Sequence, residues 1–499
     1  MKPLRPLDFL TALAASLLLA GCGQQVTRPA AESTPPADSA AAVECGLRDV
    51  VIFAREPAPR FCVPGRMAHY NVPAVSLTIL DDGEIAWSAA WGVRIAGQNA
   101  PVRGDTLFQA GSLAKPLTAF AAMRMREAGL LNLDVDIGTY LSSFTIPAGA
   151  QTPDAPVTLR HALNHTAGLT PGGYEGYEPG TELPSDQQTL RGSAPANTRP
   201  LAVVAPPGTA LAYSGHGYTL TEQALQDLTG EDFGSLMKTW VHAPLALEDS
   251  SFSMPLPGAR RSNAARGHDT EGLPLAGGWR LHPEQAAAGL WTTSADLARF
   301  LLTLHHAYQG RIELFSRAAA REMFTEHRDG HAFGWVLRSD GFVAHGGGNA
   351  GYRAYMLFDP ESGDGAAVLT NGDQGSSLIA EILRSVSDAY GWPAFTPRVM
   401  ERFRPEPAVL ARLEGIYRFS GGAAVAVFHD AADATLDLRF PNGDVYRMVA
   451  TDTYSFVHPA TGTPARFAVL EDGATLELYG ETGVRETTDT ARSESPVSR

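Results

Sequence analysis

Hydrophobic and polar positions alternate with a period of two from Asn71 onward. Val75, Leu77 and Ile79 share one face, Asp81-Asp82-Gly83 supplies a turn, and Ile85 to Trp91 returns. This spacing predicts a β-hairpin. The pattern then changes. Thr106-Leu107-Phe108 is a short apolar run, and Ala110-Gly111 is a tight turn. Beyond it Leu117, Phe120, Ala121 and Ala128 recur at helical spacing, which predicts a buried helix opened by Ser112. Pro116 fits only near that helix start, because it cannot donate to the carbonyl of residue 112. Thr158 to Leu163 reads as a short capped helix that ends at Asn164-His165-Thr166-Ala167-Gly168-Leu169. Residues 171–200 are polar and rich in Gly and Pro, the composition of a long functional loop. Leu220, Ala224 and Leu228 mark a helix ending at Gly230, and Ala286 to Leu302 reads as one helix. Strands are expected at Phe333–Leu337, Phe342–His345, Tyr352–Phe358 and Ala366–Leu369, then a helix at Leu378–Tyr390. Strands at both ends therefore bracket helices, an α+β layout with a helical insertion.

Residues 396–408 are broken by prolines and form a candidate boundary. Beyond it Val425/Val427, Leu436/Leu438/Phe440, Phe467/Val469 and Leu476/Leu478 alternate again, with turns at Asn442-Gly443 and Asp472-Gly473. They predict a small all-β, barrel-like domain over 406–486, followed by a polar, disordered tail at 487–499. At the other end, Lys2 and Arg5 precede an apolar stretch from Phe9 to Ala20, too short for a comfortable membrane span. It closes on Leu19-Ala20-Gly21-Cys22, which looks like a bacterial lipoprotein signal. Cleavage after residue 21 would leave Cys22 as a lipid attachment point. An ordinary cleaved signal with an incidental Cys22 is the alternative. Residues 22–43, rich in Ala, Pro, Ser and Thr, read as a disordered tether, and 44–395 as the main domain. Gly23 fits an outer-membrane address if the host has one, so the expected location is the bacterial periplasm with a membrane anchor. In that oxidising space Cys45 and Cys62 are either a disulfide or two buried thiols.

Net charge is −15 over 499 residues, which argues against nucleic-acid binding. Only three of the 39 basic residues are lysines: Lys2, Lys115 and Lys238. Lys, unlike Arg, can lose its proton when desolvated and serve as a base. Lys115 closes Ser112-Leu113-Ala114-Lys115, where i and i+3 share a helix face, so the amine can help deprotonate the hydroxyl. Ser235-Leu236-Met237-Lys238 has the same spacing. It follows a helix start at Gly230-Glu231-Asp232-Phe233 and reads as an exposed amphipathic helix.

Ser112-x-x-Lys115, Tyr213-Ser214-Gly215 and His345-Gly346-Gly347 fall in order along the chain. With Thr106-Leu107-Phe108, His165 to Leu169 and Leu290 to Leu297 they resemble the β-lactamase-related serine hydrolases, over roughly residues 65–390. That family includes class C β-lactamases, D-alanyl-D-alanine carboxypeptidases, D-aminopeptidases and esterases. The resemblance implies a β-lactamase/transpeptidase-like fold, an antiparallel sheet flanked by helices plus a helical subdomain. It implies Ser112 as nucleophile, with Lys115 and Tyr213 shuttling its proton and the choice of base open. It implies His345 on the opposite wall, bonded to Tyr213 or to a substrate carboxylate, and an oxyanion hole from the backbone N–H groups of Ser112 and Gly348. No metal and no cofactor is implied. The C-terminal domain resembles the lipocalin-like domain often appended to such hydrolases, at Leu413-Glu414-Gly415-Ile416-Tyr417.

Two positions depart from the family pattern. Gly215 stands where Asn is usual, and His345 puts a group titrating near neutrality where many relatives have Lys. Both shift the expectation from β-lactams toward an ester, amide or D-amino-acid peptide substrate. The alternative is a weakly turning-over penicillin-binding or sensing protein that acylates and barely deacylates. A third reading places ligand or partner binding in the C-terminal domain. Substrate and oligomeric state carry no readable code.

Overall fold

A computed structural model describes residues 37–471 and 473–486. The signal segment, Cys22, most of the tether and the polar tail lie outside the described residues. No helix among the described residues is long and apolar enough to cross a membrane.

Along the chain, α1 (Ala37–Glu44) leads to β1 (Val51–Phe53), α2 (Val63–His69) and the hairpin β2 (Ala74–Asp81) and β3 (Glu84–Gly92). Then come β4 (Phe108–Gly111), α3 (Ala114–Glu127), α4 (Leu159–Leu163), α5 (Asp186–Arg191), α6 (Gly215–Thr229), α7 (Phe233–Met237) and α8 (Gly258–Arg261). The chain returns through α9 (Gln285–Ala288), β5 (Leu290–Thr292), α10 (Ser294–Tyr308), α11 (Arg317–Met323), β6 (Val336–Leu337), β7 (Val343–Asn349), β8 (Tyr352–Phe358), β9 (Gly365–Thr370), α12 (Gly375–Tyr390) and β10 (Arg398–Met400). A six-stranded antiparallel sheet in the order β3-β2-β9-β8-β7-β6 is the scaffold. Successive strand residues face opposite sides. Leu77, Ile79 and Val368 enter one core with α12, while Met356, Phe358 and Leu369 enter the larger core with α3 and α10.

Several elements differ from the reading of the sequence. The tether ends in α1, whose Val43 is fully buried in the core shared with α12. Residues 285–302 are not one helix. Leu290-Trp291-Thr292 is an aromatic and β-branched run that pairs with β4, and Thr293 then caps α10 by accepting from the Asp296 N–H. The 171–200 loop contains α5, fixed by a capping box between Ser185 and Gln188. Of Phe333–Leu337 only Val336–Leu337 is strand, after Gly334 at φ 74°. Part of the candidate boundary is structured: β10 pairs in parallel with β1.

Cys45 and Cys62 form a disulfide that ties α1 to the start of α2. Nearby, Arg48 makes two 2.7 Å bonds to Asp388 of α12, and Arg66 pairs with the buried Glu381. These contacts clamp the N-terminal segment to the helix behind the sheet.

After α13 (Pro407–Leu413) the chain forms a closed eight-stranded barrel: β11 (Gly415–Arg418), β12 (Ala424–Asp430), β13 (Thr435–Arg439), β14 (Val445–Ala450), β15 (Ser455–Val457), β16 (Pro464–Leu470), β17 (Gly473–Leu478) and β18 (Glu481–Arg485). Each strand pairs with the next, and β18 closes on β11. Leu410 and Leu413 of α13 join Tyr417, Leu436, Leu438 and Phe456 in its interior, so side chains fill the barrel. The Val51 N–H donates to the Pro459 carbonyl and docks the barrel on the N-terminal segment.

Candidate active site

Ser112 lies one step past β4, in the turn ahead of α3 and not in the helix itself. The Lys115 N–H donates to the Ser112 carbonyl at 3.0 Å, and this tight i, i+3 turn stacks the two side chains. Pro116 sits in the first turn of α3, where a missing donor is harmless. Lys115 Nζ donates to Ser112 Oγ at 3.0 Å and to the Ala287 carbonyl at 2.7 Å. It also lies 5.1 Å from the Tyr213 ring centroid and 5.5 Å from that of Tyr218. The amine is 2 % exposed. Burial pushes its pKa below the ordinary lysine value, against opposing contributions from Tyr213. A buried amine held on a hydroxyl, with reduced proton affinity, can accept the hydroxyl proton.

Tyr213 stands just before α6 and is 45 % exposed. His165, at φ 62°, lies against it at a centroid separation of 4.2 Å. His165 Nδ1 accepts from the Ser214 N–H at 3.2 Å, so this imidazole fixes the Tyr213-Ser214 backbone. Tyr218 is fully buried, donates its hydroxyl to the Leu163 carbonyl at 2.7 Å, and offers Lys115 its ring face.

Gly215 has a physical reason. A Cβ there would lie 2.4 Å from the Gly172 carbonyl oxygen and 2.7 Å from Cε2 of Tyr174. The Gly215 N–H donates to the Pro171 carbonyl at 2.7 Å, and Ser214 Oγ donates to the Thr170 carbonyl at 2.7 Å. The start of the 171–200 segment therefore fills the space a side chain at 215 would need. His216 is buried beside it, in contact with Thr170.

The opposite wall is β7. Its partner β6 covers only Val343 and Ala344, so Gly346, Gly347 and Gly348 form a free edge beside β4. A Cβ on Gly347 would lie 1.9 Å from the Ala110 carbonyl oxygen, and one on Gly111 would lie 2.7 Å from the Gly348 nitrogen. Only glycines let these backbones approach so closely. The Gly348 amide thus lies next to the turn that carries Ser112.

His345 departs from its expected behaviour. It is 5 % exposed, and its Nδ1 lies 2.7 Å from the Gly334 carbonyl oxygen. That nitrogen must carry the proton, because a carbonyl only accepts. Burial, then the nearby Lys115, push the imidazole down to about 3. His345 is therefore neutral across the ordinary pH range rather than titrating near neutrality. Its remaining nitrogen, Nε2, presents a lone pair. It can accept a hydrogen bond, as from a phenol, and it cannot donate one to a substrate carboxylate.

Ser112, Lys115, Tyr213, His345 and Gly348 thus converge, although they come from three separate stretches of chain. The second Ser-x-x-Lys does not join them: Ser235 Oγ is bonded to Asp232 and Lys238 is exposed. The sequence reading missed the Ala287 carbonyl, since backbone acceptors carry no residue code. It also missed Tyr174 and Gly172, whose role appears only once the loop is folded.

A family model described as Beta-lactamase matches residues 61–390. The chain is 29 % identical over 378 residues to penicillin-binding protein 4 of Amycolatopsis lactamdurans, spanning 71 % of this chain and 95 % of that protein. It is 24 % identical over 434 residues to penicillin-binding protein 4* of Bacillus subtilis, spanning 81 % and 92 %. Among solved structures, the octameric penicillin-binding protein homologue of Pyrococcus abyssi superposes with a TM-score of 0.58 at 21 % identity, over 85 % of this chain and 98 % of that one.

Proposed function

The chain belongs to the beta-lactamase family and is a serine hydrolase of that family, and from that premise we propose that it works through an acyl-enzyme on Ser112. The observation that carries this reading is the buried Lys115 amine, 3.0 Å from Ser112 Oγ and lowered in proton affinity. The amine, with Tyr213, takes the hydroxyl proton as Oγ attacks the substrate carbonyl. The Ser112 and Gly348 N–H groups receive the developing oxyanion. Tyr213 and Lys115 return the proton to the leaving group, and water then hydrolyses the ester. His345 Nε2 accepts a hydrogen bond from Tyr213 or from substrate.

A lone pair at His345 in place of a cation leaves the third motif without an anchor for a carboxylate. This favours a neutral ester or amide over a β-lactam or a D-Ala-D-Ala terminus. Export, with lipid attachment at Cys22 in the bacterial periplasm, belongs to the same proposal and rests on the N-terminal sequence. The barrel, as a lipocalin-like module, would support the hydrolase rather than bind a ligand in its filled interior.

The test is turnover of the full chain on a p-nitrophenyl ester, a cephalosporin and a D-Ala-D-Ala peptide, with Ser112→Ala beside it. Ester hydrolysis lost in Ser112→Ala supports the reading. A stable cephalosporin adduct without turnover instead supports a slow penicillin-binding or sensing protein, and undiminished hydrolysis by Ser112→Ala contradicts both.

A further inference from the structure

The Lys115 amine is held by a carbonyl, and that carbonyl must itself be held. Ala287 sits in α9, a single turn between the Tyr177–Leu281 bridge and β5. So short a helix has little stability of its own. Two side chains from neighbouring helices fix it. Thr118 Oγ1 of α3 lies 3.3 Å from the Ala286 carbonyl oxygen, a long contact for a hydroxyl that is also bonded to Ala114. Glu222 Oε2 of α6 accepts the Ala286 N–H at 2.8 Å. Glu222 is fully buried, and its carboxyl also faces the backbone N–H of Gln285.

Glu222 follows Tyr218 by four residues, so both lie on one face of α6. One helix face thus serves the amine twice: Tyr218 lays its ring beside Nζ, and Glu222 grips the peptide next to the carbonyl that Nζ binds. Burial, reinforced by Asp186, pushes the Glu222 carboxyl well above its usual range.

We propose that Glu222 is a positioning residue for the reaction at Ser112: it clamps the Ala286 amide so that the Ala287 carbonyl holds the Lys115 amine against Ser112 Oγ. This rests on the acyl-enzyme reading above. Glu222 touches neither substrate nor the reacting atoms. It acts through two hydrogen bonds in series, Glu222 to Ala286 and Ala287 to Lys115. Loss of the clamp lets the carbonyl drift. The amine then loses both its orientation and an acceptor that favours its protonated form.

The experiment measures the rate of Ser112 labelling by a fluorophosphonate from pH 5 to 10, with melting temperature, on the full chain. Glu222→Leu should slow labelling by about tenfold and move the acid limb to lower pH. Glu222→Gln, which keeps an acceptor of the same shape, should stay within about twofold of wild type. Ala286→Pro removes the N–H, and its ring carbon takes the place of the hydrogen that Glu222 accepts, so the clamp is broken from the peptide side. Proline is tolerated in a first helical turn, so this variant should reproduce Glu222→Leu and decides the matter if Glu222→Leu does not fold. A change in melting temperature alone, with wild-type rate and pH limb in Ala286→Pro, overturns the proposal and leaves Ser112 as nucleophile. Labelling that persists in Ser112→Ala overturns both.

Discussion

Alanine at position 347 would put a Cβ 1.9 Å from the Ala110 carbonyl oxygen. Side-chain carbons do not come within 3.0 Å of such an atom, so either β7 or the end of β4 must move by about 1 Å. Ala110 is two residues before Ser112, and Gly347 is one before Gly348. The shift therefore falls on the pair of N–H groups assigned to the oxyanion. A displacement of about 1 Å in a reacting geometry costs on the order of 100-fold in rate, and loss of one oxyanion donor costs about 100- to 1,000-fold. Gly347→Ala should reduce kcat on a p-nitrophenyl ester by about 100-fold or more. Gly346 is the internal control. Its Cβ would point to the other face of β7, with its nearest neighbour 3.5 Å away at Tyr355, an ordinary contact. Gly346→Ala should keep kcat within about threefold and leave the melting temperature unchanged. Steady-state kinetics and thermal unfolding of the two variants check this. Equal losses in both, or wild-type kcat in Gly347→Ala, would refute the close approach of β7 to β4 as the basis of the oxyanion site.

Three further outcomes follow from the same geometry. Gly215→Asn, which writes in the amide that relatives carry, should lower stability by about 2 kcal/mol and add no cephalosporin turnover, because Gly172 and Tyr174 occupy the space; thermal unfolding and a cephalosporin assay check it. His345→Gln should leave the shape of the pH–rate profile unchanged between about pH 5 and 8, since the imidazole is already neutral there; loss of an inflection in that range would contradict it. Lys115→Met should abolish turnover yet raise stability near neutral pH by about 1 kcal/mol. Between the lowered folded pKa of Lys115 and its unfolded value, the unfolded chain binds a proton that the folded chain lacks, so wild-type stability rises with pH across that window. The advantage of the methionine variant should therefore shrink as pH rises toward the ordinary lysine value, measured by unfolding at several pH values.

Local chemistry made part of this molecule readable from the residues. The hairpin of β2 and β3 follows from alternation around Asp82-Gly83, and the barrel strands follow from the same period beyond residue 413. Ser112 and Lys115 stood out because lysine is so rare and because an apolar strand and a helical repeat flank them. Tertiary contact decided the rest. Leu290-Trp291-Thr292 is a strand because β4, which is distant along the chain, lies beside it and pairs with it, and no local period reports that partner. The charge state of His345 depends on the Gly334 carbonyl and on burial, neither of which is encoded in the motif. Gly215 read as a missing amide, whereas folding makes it the seat of the 171–174 segment. The Ala287 carbonyl and its Glu222 clamp were invisible because one is backbone and the other is an ordinary helical glutamate.

At the centre of the mechanism, the buried Lys115 amine, lowered in proton affinity, activates Ser112. Intact-protein mass spectrometry after fluorophosphonate treatment tests it most directly, with wild type, Ser112→Ala and Lys115→Arg compared. Arginine keeps the positive charge and cannot serve as the base. A single adduct on wild type, localised to Ser112 and absent from both folded variants, is the predicted result. Wild-type labelling of Lys115→Arg would contradict the account.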